Sequence, residues 1–209
     1  MTYKEILNDE PVINKLKQID LENENGYNHG LNHALNVIEI IEDLSKLLKI
    51  DETSKQYLLI ACVLHDVGMK EGKENHAKRS ATFAKEYLKN KIPDDWYSKV
   101  VKAINSHHEK IGIDNLDIFS HILLFADKMD FSRKRLNFNY IKENNLHMFE
   151  EHILNVTFKI SDGEFIININ TDKNYGQEEF DNWAYFLKLN KRMEEFSRKI
   201  NKKLTIKFD

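Results

Sequence analysis

The chain has 209 residues, 41% of them apolar and 11% aromatic, which is enough to bury the core of one domain with an appended piece. Its 34 acidic residues nearly cancel its 31 basic ones, and a formal charge of -3 excludes the broad basic field that holds nucleic acid polymers by their phosphates. The single cysteine, Cys62, excludes an intrachain disulfide framework; Met1–Asn8 has no apolar leader and no stretch reaches the roughly 20 apolar residues of a membrane span, so a soluble, cytoplasmic protein is expected.

Two prolines and seven glycines leave long segments with apolar residues at spacing three and four, which predicts a mainly α protein. The first clear helix runs from about Leu31 to Leu48, where His33 continues the stripe of Val37, Ile40, Ile41, Leu44, Leu47 and Leu48 and therefore points inward. The next, from about Thr53 to Asp66, is apolar on nearly all sides after Tyr57, as a central helix is, and carries His65 and Asp66 at its end before Gly68. A third helix puts His76, Ser80, Phe83, Ala84, Tyr87 and Leu88 on one face. Pro93 and Asp94 separate it from a fourth with Trp96, Val100, Ile104, His107 and His108. A fifth, about Leu116 to Asp130, places Asp127 beside Leu123 and Ala126, and an inward carboxylate needs a partner or a metal.

Beyond about Leu146 the texture changes. Val156–Ile160 and Phe165–Ile169 flank Ser161-Asp162-Gly163-Glu164, which predicts a β-hairpin. A single long helix is expected from about Gln177 to Lys202, with Trp183 and its neighbours packing on the hairpin rather than stacking on a base, and Leu204–Phe208 as a third strand. The expected organisation is a helical core over 1–145 and a small C-terminal α+β extension over 146–209, packed on that core.

Five of the nine histidines and two aspartates appear in the order His33, His65-Asp66, His76, His107-His108, Asp127. Mixed imidazole and carboxylate donors suit iron, manganese, zinc, cobalt or nickel, whereas carbonyl-rich sites without histidine suit calcium. No Gly-x-Ser-x-Gly, P-loop or Gly-x-Gly-x-x-Gly competes with this series.

In that ordered series the chain resembles the HD superfamily of metal-dependent phosphohydrolases, over roughly residues 29 to 135. The resemblance implies an HD-type helical bundle in which His33, His65, Asp66 and Asp127 hold one divalent ion. It also implies that Asp66 bridges to a second ion held by His76 and by His107 or His108, with His107 favoured. One or two ions are expected, from Fe, Mn, Co, Ni, Zn or Mg, with Fe or Mn favoured. His108-Glu109-Lys110 is similar to the cyclic-dinucleotide phosphodiesterase branch, but Ile111-Gly112-Ile113-Asp114 stands where that branch carries Gly-Tyr-Pro. Ala126-Asp127-Lys128-Met129-Asp130 with Arg133 and Arg135 is similar to the nucleotide and dinucleoside-polyphosphate hydrolase branch.

The resemblance implies hydrolysis of a phosphate ester or anhydride in a small phosphorylated substrate, a nucleotide by preference. Asp66, Lys70 and Arg133 are the catalytic candidates, and His29, His108, Lys128, Arg133 and Arg135 the candidates for substrate contact. Guanidinium forks suit phosphate oxygens, which is why the arginines stand out from ordinary surface charge. A homodimer is compatible with this reading. The alternatives are a nucleotide-sensing module without turnover and a di-iron oxygenase built on the same ligands.

Overall fold

The computed structural model describes residues 1–22, 26–108, 115–137 and 149–209. Helices come first: α1 (Tyr3–Leu7), α2 (Glu10–Glu22), α3 (Leu31–Leu47), α4 (Glu52–Leu64), α5 (His76–Leu88), α6 (Asp94–Ser106) and α7 (Ile118–Met129). The C-terminal part adds β1 (Ile153–Ser161), β2 (Glu164–Thr171), α8 (Gln177–Asp181), α9 (Ala184–Lys199) and β3 (Lys203–Phe208). A mainly α bundle with a small α+β extension is the architecture, and among the described residues no helix is long and apolar enough to cross a membrane.

The centre of the bundle is α4. Asp51 caps it by accepting the backbone N–H of Ser54 at 2.9 Å, and from Leu58 to Leu64 every side chain is buried against α1, α3, α6 and α7. The N-terminal helices carry no strong stripe in the sequence. Thr2 and Glu5 form a reciprocal cap that starts α1, and Ile6, Val12 and Leu16 then close the core beside α4.

The hairpin turns on Asp162 and Gly163, with φ of 51° and 82°, the two left-handed positions that an Asp-Gly pair supplies at least cost. β2 pairs antiparallel with β1 and parallel with β3, so the sheet order is β1-β2-β3 and the chain between β2 and β3 must cross over through α8 and α9. Phe165, Ile167 and Ile169 face inward. Phe196 of α9 stacks on Phe125 of α7 at 4.0 Å between ring centroids, which fixes the extension to the helix that carries Asp127.

The expected single helix from Gln177 to Lys202 is instead broken at Asn182–Trp183, where Trp183 is extended (φ -90°, ψ 107°). Phe180 and Phe186 explain the break. Six residues apart on one continuous helix, they would point about 120° apart, yet their rings meet at 4.9 Å and both reach Phe208. Breaking the helix buries both, and it leaves Trp183 and Tyr185 only partly buried.

Candidate metal centre

His65 is the last residue capping α4, and Asp66 leads into a 3₁₀ turn, Val67–Glu71. That turn is fastened to α5: the Gly68 N–H donates to Ser80 Oγ at 2.9 Å and Arg79 Nε donates to the Gly68 carbonyl at 3.0 Å. Gly68 has to be glycine here, because a Cβ would lie 2.6 Å from the His76 carbonyl oxygen. The same packing brings His76, the first residue of α5, against Asp66.

Four histidines are held in a common way. The Nδ1–H of His65 donates to the Cys62 carbonyl at 2.6 Å, that of His107 to the Ile104 carbonyl at 2.6 Å, and that of His76 to the Lys73 carbonyl at 2.8 Å. His33 Nδ1 meets Asp130 Oδ2 at 2.6 Å. A carbonyl only accepts, so Nδ1 must carry a proton in the first three, and each Nε2 is the ring atom left to face the centre.

Those nitrogens form two groups. In the first, His33 Nε2 lies 3.2 Å from His65 Nε2 and 3.1 Å from Asp127 Oδ1, with Asp66 Oδ2 3.5 Å from His65 Nε2 and 3.8 Å from His33 Nε2. In the second, Asp66 Oδ1 is 3.2 Å from His107 Nε2 and 3.3 Å from His76 Nε2, and those two nitrogens are 3.0 Å apart. Ligands roughly 2.1 Å from one cation stand roughly 3.0 to 3.4 Å from each other, so both groups have the spacing of a coordination shell. The sets His33, His65, Asp127 and His65, Asp66, His107 each bring their donor atoms within 4.8 Å, and so does His29, His33, Asp66.

The buried charges of the cluster hold one another in place. Burial would raise the carboxyls of Asp66 and Asp127, but His65 and His107 around the first, and Lys128 and His33 around the second, hold both well below the ordinary range. Burial also opposes a proton on His65, yet Asp66 and Asp127 outweigh it and lift this imidazole to about 9. His76 is taken by burial to about 4 against the pull of Asp66.

His29 is half buried, with Nδ1 3.0 Å from Asp66 Oδ2, and joins the rim of the cluster. The ring of His108 packs 5.0 Å from that of His76 and faces the cavity, while His107 reaches Asp66. Lys128 Nζ lies 3.0 Å from Asp127 Oδ2. Arg135 is buried, donates to the carbonyls of Asp127 and Asp130 at 3.3 and 3.1 Å, and sits over the Tyr27 ring.

Two expected residues stand apart. Arg133 is exposed on the outer side of its 3₁₀ turn and pairs with Asp172 of the extension at 3.4 Å, because positions two apart in that turn direct Arg135 inward and Arg133 out. Lys70 is exposed, and it is its neighbour Met69 that lines the cavity wall. Glu109, Lys110 and Ile111–Asp114 lie outside the described residues.

Over the cluster opens a cavity of about 380 Å³. Its floor carries His29, Asp66, His76, His108 and Asp127; Lys73, Lys128, Arg135 and Lys188 bring positive charge; Tyr27, Trp183 and Tyr185 form an aromatic side. The sequence reading assigned no role to Asp130, although its spacing of three from Asp127 on one helix was a usable signal. It also missed Lys73, Tyr27, Tyr185 and Lys188, and it set Trp183 against the hairpin; no local pattern announces a residue that reaches the site from another part of the chain.

The bundle and its donor set define a helical protein whose His/Asp clusters can hold divalent metal ions. Residues 30–132 match the family model of the HD domain, and the chain is an HD-domain protein. No curated protein matches it. A crystal structure of a "predicted HD superfamily hydrolase" from an uncultured Thermotogales bacterium is similar at 22% identity and a TM-score of 0.46, covering 62% of this chain and 74% of that one.

Proposed function

We propose that this protein is a metal-dependent phosphohydrolase that cleaves a phosphate ester or anhydride in a small nucleotide. The observation that carries the reading is the division of labour in Asp66, whose Oδ2 faces His33 and His65 while its Oδ1 faces His76 and His107. One carboxylate serving two imidazole groups is the arrangement a pair of ions needs. His33, His65, Asp66 and Asp127 would hold the first ion, and Asp66, His76 and His107 the second; iron or manganese suits these donors best. Bound there, the ions supply charge to phosphate oxygens and acidify a water for attack.

The chain's own side chains do the rest. Lys128 and Arg135 stand beside Asp127 and offer charge-assisted donors to the phosphate, and the low exposure of Arg135 strengthens such a contact. His29, paired with Asp66 at the cavity rim, is placed to hold or pass a proton. His108 lines the cavity and would face a molecule bound there. A volume of about 380 Å³ lies at the small end of the roughly 300 to 1,000 Å³ of ligand pockets, which favours a mononucleotide-sized ligand over a polymer.

The test is phosphate release from a panel of nucleotides and dinucleoside polyphosphates by protein loaded with manganese or iron. Turnover that disappears in Asp66→Ala, with the circular dichroism spectrum unchanged, supports the reading. Binding without turnover in every metal, or oxygen consumption with an organic substrate, would overturn it.

A further inference from the structure

We propose that the C-terminal extension selects the substrate: Trp183 and Tyr185 form a wall on which the aromatic base of a nucleotide stacks while its phosphate lies over Asp66 and Asp127. This rests on the phosphohydrolase reading for the identity of the floor. The wall lies outside the HD match, which ends at residue 132.

Three rings make the wall continuous. Trp183 and Tyr185 meet at 5.4 Å with an interplanar angle of 59°, and Tyr185 approaches Tyr27 at 6.3 Å. All three line the same cavity as Asp66 and Asp127. The helix break that buries Phe180 and Phe186 is what presents Trp183, since its extended backbone turns the side chain off the helical register. Packing against Phe149 at 5.5 Å and Phe186 at 6.3 Å supports the indole from behind.

Charge is graded between floor and wall. Lys128 lies against Asp127, and the Arg135 guanidinium lies 5.8 Å over the Tyr27 ring, so the cations stand where the acidic floor gives way to aromatic surface. Lys188, three residues beyond Tyr185 on α9, continues the positive charge along the same face. A ligand that fits has an anion at one end and a flat π-system at the other. A sugar phosphate without a base would leave the wall bare, and an aromatic ring without phosphate would leave the cations unmatched.

The experiment compares adenosine 5′-monophosphate with ribose 5-phosphate, which share the phosphate ester and differ by the base. The readout in manganese-loaded protein is the ratio of their kcat/KM values. Base stacking on an aromatic side chain is worth a factor of roughly 5 to 150, so Trp183→Ala should lower that ratio by this factor, and Trp183→Phe should restore most of it. A ratio unchanged in Trp183→Ala, or equally low in Trp183→Phe, overturns the wall.

Binding is read separately. The chain has two tryptophans, and Trp96 stacks on Tyr57 away from the cavity, so Trp96→Phe leaves Trp183 as the sole reporter. Its fluorescence should be quenched by adenosine 5′-monophosphate and not by ribose 5-phosphate. Quenching without turnover of any nucleotide of the panel, in manganese or iron, sustains the wall and sinks the hydrolase; turnover without quenching sinks the wall alone.

Discussion

Asp130 Oδ2 lies 2.6 Å from His33 Nδ1, on the opposite side of the imidazole from Asp127 and His65. The carboxylate is itself held by Asn36, whose amide donates to it at 3.2 Å. Asp130 thereby sets the ring orientation and makes Nε2 a stronger donor. Carboxylates placed behind a ligating histidine are worth roughly 10- to 100-fold in metal affinity. Asp130→Asn should weaken manganese or iron binding by that factor with the number of ions unchanged, as isothermal titration would show.

Metal should stabilise the fold. The two acidic residues Asp66 and Asp127 are buried among imidazoles that only the native state assembles, so ions bind the native state in preference to the unfolded one. At a free metal concentration of 100 times Kd the gain is about 2.7 kcal/mol, or roughly 5 to 10 °C in Tm for a chain of this size. A chelator should reverse the shift, and Asp127→Asn should remove most of it. Elemental analysis of manganese-loaded protein should find two ions per chain, falling to one in His76→Ala.

Gly68 holds the His65-Asp66 corner against α5 with no room for a methyl group: a Cβ would meet the His76 carbonyl oxygen at 2.6 Å and the Ser80 nitrogen at 2.7 Å. Both are backbone atoms, and neither gives way by a side-chain rotation. Gly68→Ala should cost about 1 to 3 kcal/mol in urea unfolding. Because relief comes from pushing the start of α5 outward, His76 should leave Asp66 and the second ion should be lost first.

Glu150 links the extension to the cavity by accepting the Tyr27 hydroxyl proton, and it is fully buried. Burial raises its carboxyl to about 7 from an ordinary 4.5, against the lowering effect of the Tyr27 donor. A raised folded-state pKa means that the native protein binds more protons between these values. The contribution is therefore complete below about 4.5 and is lost as the pH rises to about 7, over a span worth roughly 3 kcal/mol. Glu150→Gln mimics the neutral acid, so in metal-free protein its stability relative to wild type should rise between pH 5 and pH 8, measured by urea unfolding at each pH.

Local pattern determined much of this molecule. The inward face of α3, the fully apolar α4 and the Asp-Gly hairpin follow from residues within a few positions of each other, where helical periodicity and left-handed turn preferences act. The order of histidines and aspartates was legible for the same reason, since each lies on or beside an apolar stripe. What only the tertiary structure decided depends on distant contacts. His107, and not His108, reaches Asp66 because the end of α6 fixes its direction. Arg135 turns inward while Arg133 meets Asp172, a choice made by a 3₁₀ turn and a partner 39 residues away. Trp183 faces the cavity because Phe180 and Phe186 are buried ring against ring, a contact that one continuous helix, with these positions about 120° apart, would not make.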